Sequence, residues 1–576
     1  MTGIKRYIPI LGWLPHYNNR DLRGDFSAGL TVGVMLIPQG MAYAMLAGLP
    51  PIYGLYASTV PLVFYAIFGT SRQLAVGPVA MVALLIATGV GHLTAQGTDE
   101  FILLAISLAL MVGALQFLLG LFRLGFLVNF LSHPVISGFT SAAALIIGLS
   151  QLKHLLGFDI PRSNFVHEIV INAFRGFDQI HLPTLLLGTG GIFIILLTRR
   201  INKSIPGPLV AVILGILLVS LLGLDENGMK IVREVPEGLP AFAIPALDMI
   251  HLESLLPIAL TIALVGFMES VAVAKAIQAK HKDYTVDPNQ ELIALGLANI
   301  GGAFFSAFPT TGGFSRTAVN DQAGARTGMA SIISALLILL TLLFLTPLFY
   351  DLPKAILASV IMVAVFGLID FKEAKYLWKT DRRDFLMLIV TFLATLTLGI
   401  EQGIGVGVIL SLAMVIYRSA YPHMAILGKM PGTPVYRNIN RFPQAEVRED
   451  ILVIRFDAQL FFANTGNLKD KLREFVNSKE NLKLVILNAD AINSLDSSAA
   501  HVLGEIVNEL RSGGMDFYLS GVKGPVRDIM HRCGLMEHIG KDHFFLYVDE
   551  AVTHFDALGN QQQVYPSTHA TQTNLA

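Results

Sequence analysis

The stretch FPTTGGFSR, residues 308–316, places a proline, two threonines and paired glycines inside a long apolar region. A second break, VGPV at residues 76–79, interrupts an apolar region in the first half of the chain. Glycine and proline are frequent in transmembrane helices, which is the simpler explanation. Interrupted backbone at membrane depth must, however, line a cavity or lie inside protein. We therefore predict two half-helices that begin at these breaks and leave unpaired N–H groups there.

The composition is that of a membrane domain followed by a soluble domain. The chain has 576 residues, is 53% hydrophobic and 14% charged, and has a mean hydropathy of +0.60. Residues 431–576 hold 32 charged side chains in 146 positions, and residues 1–430 hold 51 in 430. An average soluble domain has about 25% charged residues. The net charge of −1 suggests no nucleic-acid partner, and the single cysteine, Cys533, excludes an intrachain disulfide.

Long apolar runs predict fourteen membrane segments, since a helix needs about 20 apolar residues to cross a bilayer. The segments are 26–46, 51–69, 75–91, 101–121, 127–151, 183–198, 207–223, 251–275, 290–305, 312–325, 328–349, 354–370, 384–400 and 403–421. An even number places both termini on one side. Loops on the side of the termini hold about 18 Lys and Arg residues, and loops on the other side hold about 6. This excess predicts that both termini are cytoplasmic.

Fourteen segments divide into two halves of seven. A unit with an odd number of segments, repeated in tandem, inserts with opposite orientation, an arrangement common in secondary transporters. The two breaks fall in segments three and ten, which are equivalent positions of the two halves. The sequence thus predicts an α-helical polytopic membrane protein built from two inverted repeats, with a substrate site where the half-helices meet.

Pro431, Pro434 and Pro443 predict a linker, and strand and helix patterns alternate after it. Apolar strand patterns at 451–456, 484–487 and 517–520 alternate with helix patterns at 467–477, 499–511 and from Pro525. This alternation predicts an α/β sandwich domain. We divide the chain into a cytoplasmic N-terminus, a transmembrane domain, a soluble domain and a polar tail for which we predict disorder. Their ranges are 1–25, 26–430, 431–556 and 557–576.

Several stretches resemble the SulP family of sulfate permeases and related anion transporters, which includes pendrin and prestin. They are IPQGMAYAMLAGLPPIYGLYAS at 37–58, FGTSRQLAVGPVA at 68–80 and SRTAVN at 315–320. The soluble part resembles a STAS domain in its turn Asp496-Ser497-Ser498, although Ala499 stands where many such domains have glycine. The resemblance implies fourteen segments divided into a core and a gate domain, and a homodimer.

The starts of the two predicted half-helices are predicted to bind an anion. Each exposes backbone amides and the positive end of a helix dipole. Gly77 and Val79 in segment three, and Gly313, Phe314 and Ser315 in segment ten, are the candidates to supply these amides. Ser315 adds a hydroxyl group.

Two of the charges inside predicted spans, Arg316 and Glu269, are the informative ones. Arg316 is interpreted as supplying positive potential to the anion, because a charge at bilayer depth costs roughly 3 kcal/mol and faces a cavity or partner. The alternative is a structural pairing with Asp321 or another carboxylate. Glu269 is interpreted as the proton-coupling residue, because burial favours a neutral carboxylate, and the resemblance implies an acidic residue there in proton-coupled relatives. Its alternatives are a permanent ion pair with Arg316, or a sodium site with Thr310 or Thr311.

Segment one adds Gln39 and Tyr43, which are four residues apart and share a helix face. The resemblance places both at the substrate cavity. In the STAS turn, Ser497 and Ser498 are candidates for helix capping or for packing against the membrane domain or a partner subunit. Regulatory phosphorylation, known from related anti-sigma-factor antagonists, is the other interpretation of these two serines.

These features predict a secondary-active anion transporter and not an enzyme, since the sequence has no Walker A, HExxH or CxxC motif. We expect no cofactor and no metal site. Proton-coupled symport of sulfate, or of a dicarboxylate such as fumarate or succinate, by alternating access is the favoured function. Sodium-coupled bicarbonate uptake, an uncoupled anion channel and a signalling role of the STAS domain are the alternatives. We expect a bacterial inner membrane, with the N-terminus and the STAS domain in the cytoplasm.

Overall fold

A computed structural model describes residue 5 and residues 7–126, 132–161, 166–201, 206–245, 249–281 and 283–564. The chain forms two compact units, Met1–Ser411 and Leu412–Ala576. The boundary between them falls within a long helix, Ile400–Ala420. The last helix continues to Val564, so residues 557–564 of the tail for which we predicted disorder are helical, and the rest of that tail lies outside the described residues.

The first unit consists mainly of helices. They are α1 (Ile10–Trp13), α2 (Asn19–Ala47), α3 (Pro51–Tyr56), α4 (Val60–Phe68), α5 (Ala80–Gly89), α6 (Asp99–Leu121), α7 (His133–Ser150), α8 (Leu152–Leu156), α9 (Val166–Arg175), α10 (Leu182–Ile201), α11 (Gly207–Leu222), α12 (Met249–Gln278), α13 (Pro288–Ala303), α14 (Phe314–Gln322), α15 (Met329–Phe344), α16 (Lys354–Phe366), α17 (Phe371–Thr380), α18 (Arg382–Leu398) and α19 (Ile400–Ala420). Within the described ranges, eight helical stretches are long and apolar enough to cross a membrane, and three shorter apolar helices accompany them.

The helices confirm the predicted polytopic fold. Each of the fourteen predicted segments contains a helix, although the start of segment five, 127–131, lies outside the described residues. Segment two is divided into α3 and α4. The helices α9 and α17, which follow segments five and twelve, are short amphipathic additions that the apolar runs did not predict, because charged and other polar residues interrupt the apolar residues of both.

Helix packing follows the twofold repeat. In one group, α6 of segment four packs on α13 of segment nine, and the repeat-related α15 of segment eleven packs on α4 of segment two. In another group, α7 of segment five packs on α18 of segment thirteen, and the repeat-related α16 of segment twelve packs on α10 of segment six. We call segments 1–4 and 8–11 the core group and segments 5–7 and 12–14 the gate group.

A close helix contact explains two glycines of the motif at 37–58. Gly40 in α2 and Gly54 in α3 face each other, and a methyl group on Gly54 would lie only 1.9 Å from the Gly40 carbonyl oxygen. The Ser58 hydroxyl donates a hydrogen bond to the Gly54 carbonyl oxygen at 2.7 Å. Because only glycine lets two backbones approach this closely, these positions fix segment one against segment two.

The second unit contains a six-stranded sheet, whose strands are numbered from β3 because β1 (Val76–Gly77) and β2 (Thr311–Gly312) lie in the first unit. Its strands are β3 (Met424–Lys429), β4 (Tyr436–Asn438), β5 (Ile451–Phe456), β6 (Leu484–Asn488), β7 (Asp516–Ser520) and β8 (Phe544–Phe545), in the order β4-β3-β5-β6-β7-β8. Strands β5 to β8 are parallel, and β3 is antiparallel to both neighbours.

Helices cover both faces of this sheet, as expected of an α/β sandwich. They are α20 (Thr465–Asn477), α21 (Ser497–Ser512), α22 (Gly524–Arg532), α23 (Leu535–Ile539) and α24 (Val548–Val564). Side chains of α20 to α23 share one apolar core with the sheet, and α24 contributes Val548, Ala551 and Val552 to a second core on the other side. The predicted strand–helix alternation is confirmed, and the hairpin β3–β4 lies where prolines had indicated a linker.

Candidate functional site

The two predicted breaks meet in a short antiparallel ladder. Strand β1 (Val76–Gly77) pairs with strand β2 (Thr311–Gly312), and Val76 lies opposite Gly312. Gly77 has a φ of 151°, a backbone conformation that favours glycine. Immediately beyond the ladder the chain enters α5 on one side and α14 on the other. The half-helices predicted from the sequence thus begin at a common point.

Both half-helices begin without a capping side chain. The N-cap residues are Val79 for α5 and Gly313 for α14, and neither helix start is capped by a side-chain hydrogen bond. The first-turn amides of a helix have no partner within that helix. Two helix N-termini, each with a positive dipole end, are therefore directed to one place.

Arg316 lies in the first turn of α14 and is only 2% exposed. Its Nη1 donates a hydrogen bond to the carbonyl oxygen of Pro78, just ahead of the other half-helix. Its Nε and Nη2 have no hydrogen-bond partner among the described residues. A buried guanidinium group with donors that the protein leaves unpaired provides charge-assisted hydrogen bonds for an anion.

The structural alternatives for Arg316 are not observed. Asp321 instead pairs with Lys280, at 3.1 Å, and with His281, at 2.6 Å. Glu269 and Arg316, both of which the structure describes, do not form an ion pair, since Nη1 bonds to Pro78 and the other two nitrogens have no partner. The two side chains instead face the same cavity.

A cavity of about 140 Å³ lies at the half-helix starts. This is roughly ten times the space that one water molecule needs. Its wall contains eight of the nine predicted transport residues, namely Gln39, Tyr43, Val79, Glu269, Gly313, Phe314, Ser315 and Arg316. Gln39 is 5% exposed, and its Oε1 has no hydrogen-bond partner in the described part of the chain. Gly77 lies behind this wall, where an added Cβ would be 3.4 Å from Nη2 of Arg316.

The opposite wall comes from the gate group and was missed by sequence reasoning. Helix α7 contributes Val135, Phe139 and Thr140, and segment twelve contributes Ala364 and Leu368. Apart from Thr140 these are ordinary apolar residues, indistinguishable by type from those that face lipid or core. The only available signal was the equivalence of segments five and twelve in the two repeats.

Comparisons with known proteins agree with this architecture. The profile of the sulfate permease family matches residues 22–391, and that of the STAS domain matches residues 442–551. The chain belongs to the sulfate permease family. The chloroplastic sulfate transporter 4.1 of Arabidopsis thaliana is 42% identical to this family member over 568 residues, covering 95% of the chain and 82% of that protein. High affinity sulfate transporter 2 of Stylosanthes hamata is 35% identical over 577 residues, covering 96% and 87%.

A solved structure extends the similarity to the whole fold of this family member. The murine Solute Carrier 26 family member A9 anion transporter, in its inward-facing state, gives a TM-score of 0.87 at 26% identity. The alignment covers 96% of this chain and 94% of that chain. The predicted fold class, a helical membrane domain followed by a STAS domain, is therefore confirmed.

The relatives correct the expected location of this family member. We expected a bacterial inner membrane. The two relatives are plant proteins, one of them named chloroplastic, and they indicate a eukaryotic membrane instead. The bacterial assignment is therefore wrong, whereas a multi-pass membrane protein is supported.

Buried hydrogen bonds hold the ladder of this family member in place. Asn299 in α13 accepts from the Thr310 amide at 2.7 Å and donates to the Thr310 carbonyl oxygen at 3.1 Å. The Thr311 hydroxyl donates to the Gly266 carbonyl oxygen at 2.6 Å. The Ser270 hydroxyl accepts a hydrogen bond from the amide of the residue that follows Thr311, at 2.8 Å. The hydroxyl of Thr310 also bonds to Asn299. Segment ten is thereby tied to segments eight and nine.

A second cavity lies further along the same helices. It has a volume of about 710 Å³ and is lined by Met45 and Leu46 of α2, by Leu84 of α5 and by Ile146 of α7. The first cavity meets α2 at Tyr43, only three residues before Leu46. At a rise of about 1.5 Å per residue, the linings of the two cavities are only about 3–4.5 Å apart along α2, which is less than one helical turn.

The STAS turn is fixed by its aspartate. Asp496 is the N-cap of α21 and accepts from the Ala499 amide at 2.8 Å and from the Phe462 amide at 2.9 Å. Ser497 and Ser498 are exposed in the first turn of that helix. Asp496 therefore provides the cap, and the two serines leave their hydroxyls at the surface.

Proposed function

We propose that this protein is a secondary-active sulfate transporter that works by alternating access and not an enzyme. The observation that carries the proposal is the buried Arg316, whose unpaired donors share a cavity with two uncapped helix N-termini. These are the groups that recognise an oxyanion. The names of the plant relatives, which are sulfate transporters, support this choice of anion.

The charge of the site suits a divalent anion together with a proton. Each helix N-terminus carries about half a positive charge. With Arg316, the two half-helix starts supply about two positive charges, which matches sulfate when Glu269 is neutral. When Glu269 is ionised, one of these charges is offset. We infer that sulfate and a proton bind together and leave together.

A sodium-coupled mechanism has less support. The expected oxygen ligands beside Glu269 were Thr310 and Thr311. Both threonine side chains are fully buried and hydrogen-bonded to protein groups, the first to Asn299 and the second to Gly266. Binding sodium there would require these bonds to be exchanged for metal contacts. Proton coupling requires no such rearrangement.

The position of the two cavities supports alternating access. Arg316 and α2 both belong to the core group and move together, so the displacement is measured along α7 of the gate group. Helix α7 lines the first cavity as far as Thr140 and the second from Ile146, six residues or about 9 Å further on. A movement of the core group along α7 by this distance would carry Arg316 from the first cavity to the second. We further propose a homodimer, and a regulatory or docking role for Ser497 and Ser498, whose exposed hydroxyls are accessible to modification.

The proposal is tested by a competition screen in proteoliposomes. Uptake of radiolabelled sulfate is measured at two pH values against unlabelled sulfate, bicarbonate, fumarate and succinate. We expect sulfate to compete best and uptake to follow an imposed pH gradient without sodium. Uptake that requires sodium at fixed pH would support bicarbonate-type coupling, and large uncoupled currents would indicate a channel. The Arg175→Gln variant removes an exposed arginine of α9 and serves as a control that should behave like the unmodified protein in this screen.

A further inference from the structure

Helix α17 is a short amphipathic helix with an aromatic outer surface. Leu377 is its one buried residue, at 5% exposed. Phe371, Tyr376 and Trp378 are large side chains that remain 78%, 59% and 54% exposed. The helix connects segments twelve and thirteen, so both of its ends join predicted membrane segments. Aromatic side chains of this kind concentrate at the boundary between lipid and water.

The same surface is positively charged. Lys372, Lys375 and Lys379 on α17 are all exposed, and Arg382 follows at the start of α18, also exposed. Cations on the polar side of an amphipathic helix attract anionic lipid headgroups.

The carboxylates near α17 are held in other interactions or are less exposed. Asp370 is the N-cap and accepts from the amides of the first turn at 3.0 and 2.9 Å. The side chain of Glu373 is 20% exposed and lies 3.1 Å from His133. Asp381 and Asp384 are half-buried. The exposed charge of the helix is therefore mainly that of its lysines.

Ring contacts fix the tryptophan at this surface. The guanidinium carbon of Arg382 lies 5.4 Å from the Trp378 ring centre, and the Phe385 ring meets Trp378 edge-on at 4.9 Å. A cation over an aromatic face keeps both groups oriented. Trp378 and the adjacent positive charges thus form one surface, which we call the α17 surface and define as Phe371, Lys372, Lys375, Tyr376, Trp378, Lys379 and Arg382.

Helix α9 provides a useful contrast. It also has ten residues, and it also exposes apolar side chains, Ile171 at 46% and Phe174 at 73%. Its sequence VHEIVINAFR contains a single Lys or Arg, Arg175. Apolar exposure is therefore common to both helices, and the row of lysines is specific to α17.

We propose that the α17 surface binds anionic phospholipids at the membrane surface. Lys372, Lys375 and Lys379 contact the phosphate groups, and the aromatic side chains lie in the interfacial layer. Charge complementarity selects an anionic lipid, and the aromatic residues select a membrane over a free phosphate ion.

Trp378 provides a direct probe of this proposal. The chain has two tryptophans, and the other, Trp13, is 8% exposed, so the Trp13→Phe variant isolates the Trp378 signal. This full-length variant is reconstituted with a small, equal fraction of brominated phosphatidylglycerol or brominated phosphatidylcholine. We expect the anionic lipid to quench Trp378 more strongly, by about twofold or more at low salt, since headgroup attraction enriches it locally.

Two charge variants complete the test. Replacing Lys372, Lys375 and Lys379 together by glutamine should abolish the difference between the lipids while keeping the quenching itself. The matched control replaces Lys471, Lys523 and Lys541 in the second unit by glutamine and should preserve the difference. Equal quenching by both lipids without these replacements would overturn the proposal. Absence of quenching by either lipid would also overturn it, and would indicate that protein, such as a second copy of the chain, covers the α17 surface.

Discussion

The Nη1 of Arg316 donates a hydrogen bond to the carbonyl oxygen of Pro78, 238 residues away in the sequence. This bond joins the starts of the two half-helices across the repeat axis. It orients the guanidinium group so that Nε and Nη2 remain unpaired beside the cavity. The pairing of one arginine with the opposite repeat thus orients the donors that we propose bind the anion.

The first prediction concerns Arg316 itself. The Arg316→Gln variant loses the charge and at least one donor to the anion. Hydrogen bonds to charged groups contribute about 1.5–3 kcal/mol, so we expect sulfate to bind roughly 10- to 100-fold more weakly. Equilibrium binding of labelled sulfate to the purified protein measures this. The Arg175→Gln variant should bind normally, and unchanged sulfate affinity in Arg316→Gln would remove this arginine from the site.

The second prediction concerns Glu269. Glutamine resembles the protonated carboxyl group, so the Glu269→Gln variant should bind sulfate with an affinity that no longer depends on pH. We expect the unmodified protein to bind sulfate more tightly as the pH falls, because a neutral Glu269 no longer offsets the positive charge. Uptake driven by a pH gradient should be lost in the variant, while exchange of labelled for unlabelled sulfate persists. Gradient-driven uptake that survives the substitution would refute proton coupling through Glu269.

The third prediction concerns the close contact of segments one and two. In Gly54→Ala the new methyl group would overlap the Gly40 carbonyl oxygen, so the helices must separate. We expect a lower melting temperature in detergent and poor yield of folded protein. Gly190 in α10 is the matched control, because a Cβ there would meet nothing within 4 Å. The account of the motif fails if both alanine variants melt alike.

The fourth prediction concerns the hydrogen bonds behind the ladder. Asn299→Ala leaves the Thr310 amide and carbonyl groups without their partner. Unsatisfied buried groups of this kind cost about 1–3 kcal/mol each. We expect a lower thermal stability and weaker sulfate binding, since β2 positions the start of α14. The exposed Asn508 in α21 serves as the control for the same substitution.

The sequence predicted the elements of the fold better than their contacts. Apolar runs identified the membrane helices because burial in lipid demands a continuous hydrophobic stretch. The glycine and proline breaks identified both half-helices because they interrupt helical hydrogen bonding. The hairpin β3–β4 was missed, since Pro431 and Pro434 resemble a linker when the pairing partner β5 is not considered.

The site was predictable where charge or backbone chemistry marks it. Arg316, Glu269 and the breaks stand out because polar groups at membrane depth are costly. Phe139 and Leu368 do not stand out, because an apolar side chain that faces the cavity has the same composition as one that faces lipid. The hydrogen bond from Arg316 to Pro78 was also unpredictable, since it depends on how the two repeats meet.

Substrate protection at Ser315 tests most directly whether the cavity between α5 and α14 is the sulfate site. Ser315 lines that cavity and is exposed in it, and the chain's one cysteine, Cys533, is exposed in the second unit. A Ser315→Cys variant that retains sulfate uptake is treated with a small thiol reagent, and labelling is followed separately at positions 315 and 533. The account predicts that saturating sulfate slows labelling at 315 and leaves labelling at 533 unchanged. Equal labelling rates at 315 with and without sulfate, in protein that still transports it, would contradict the account.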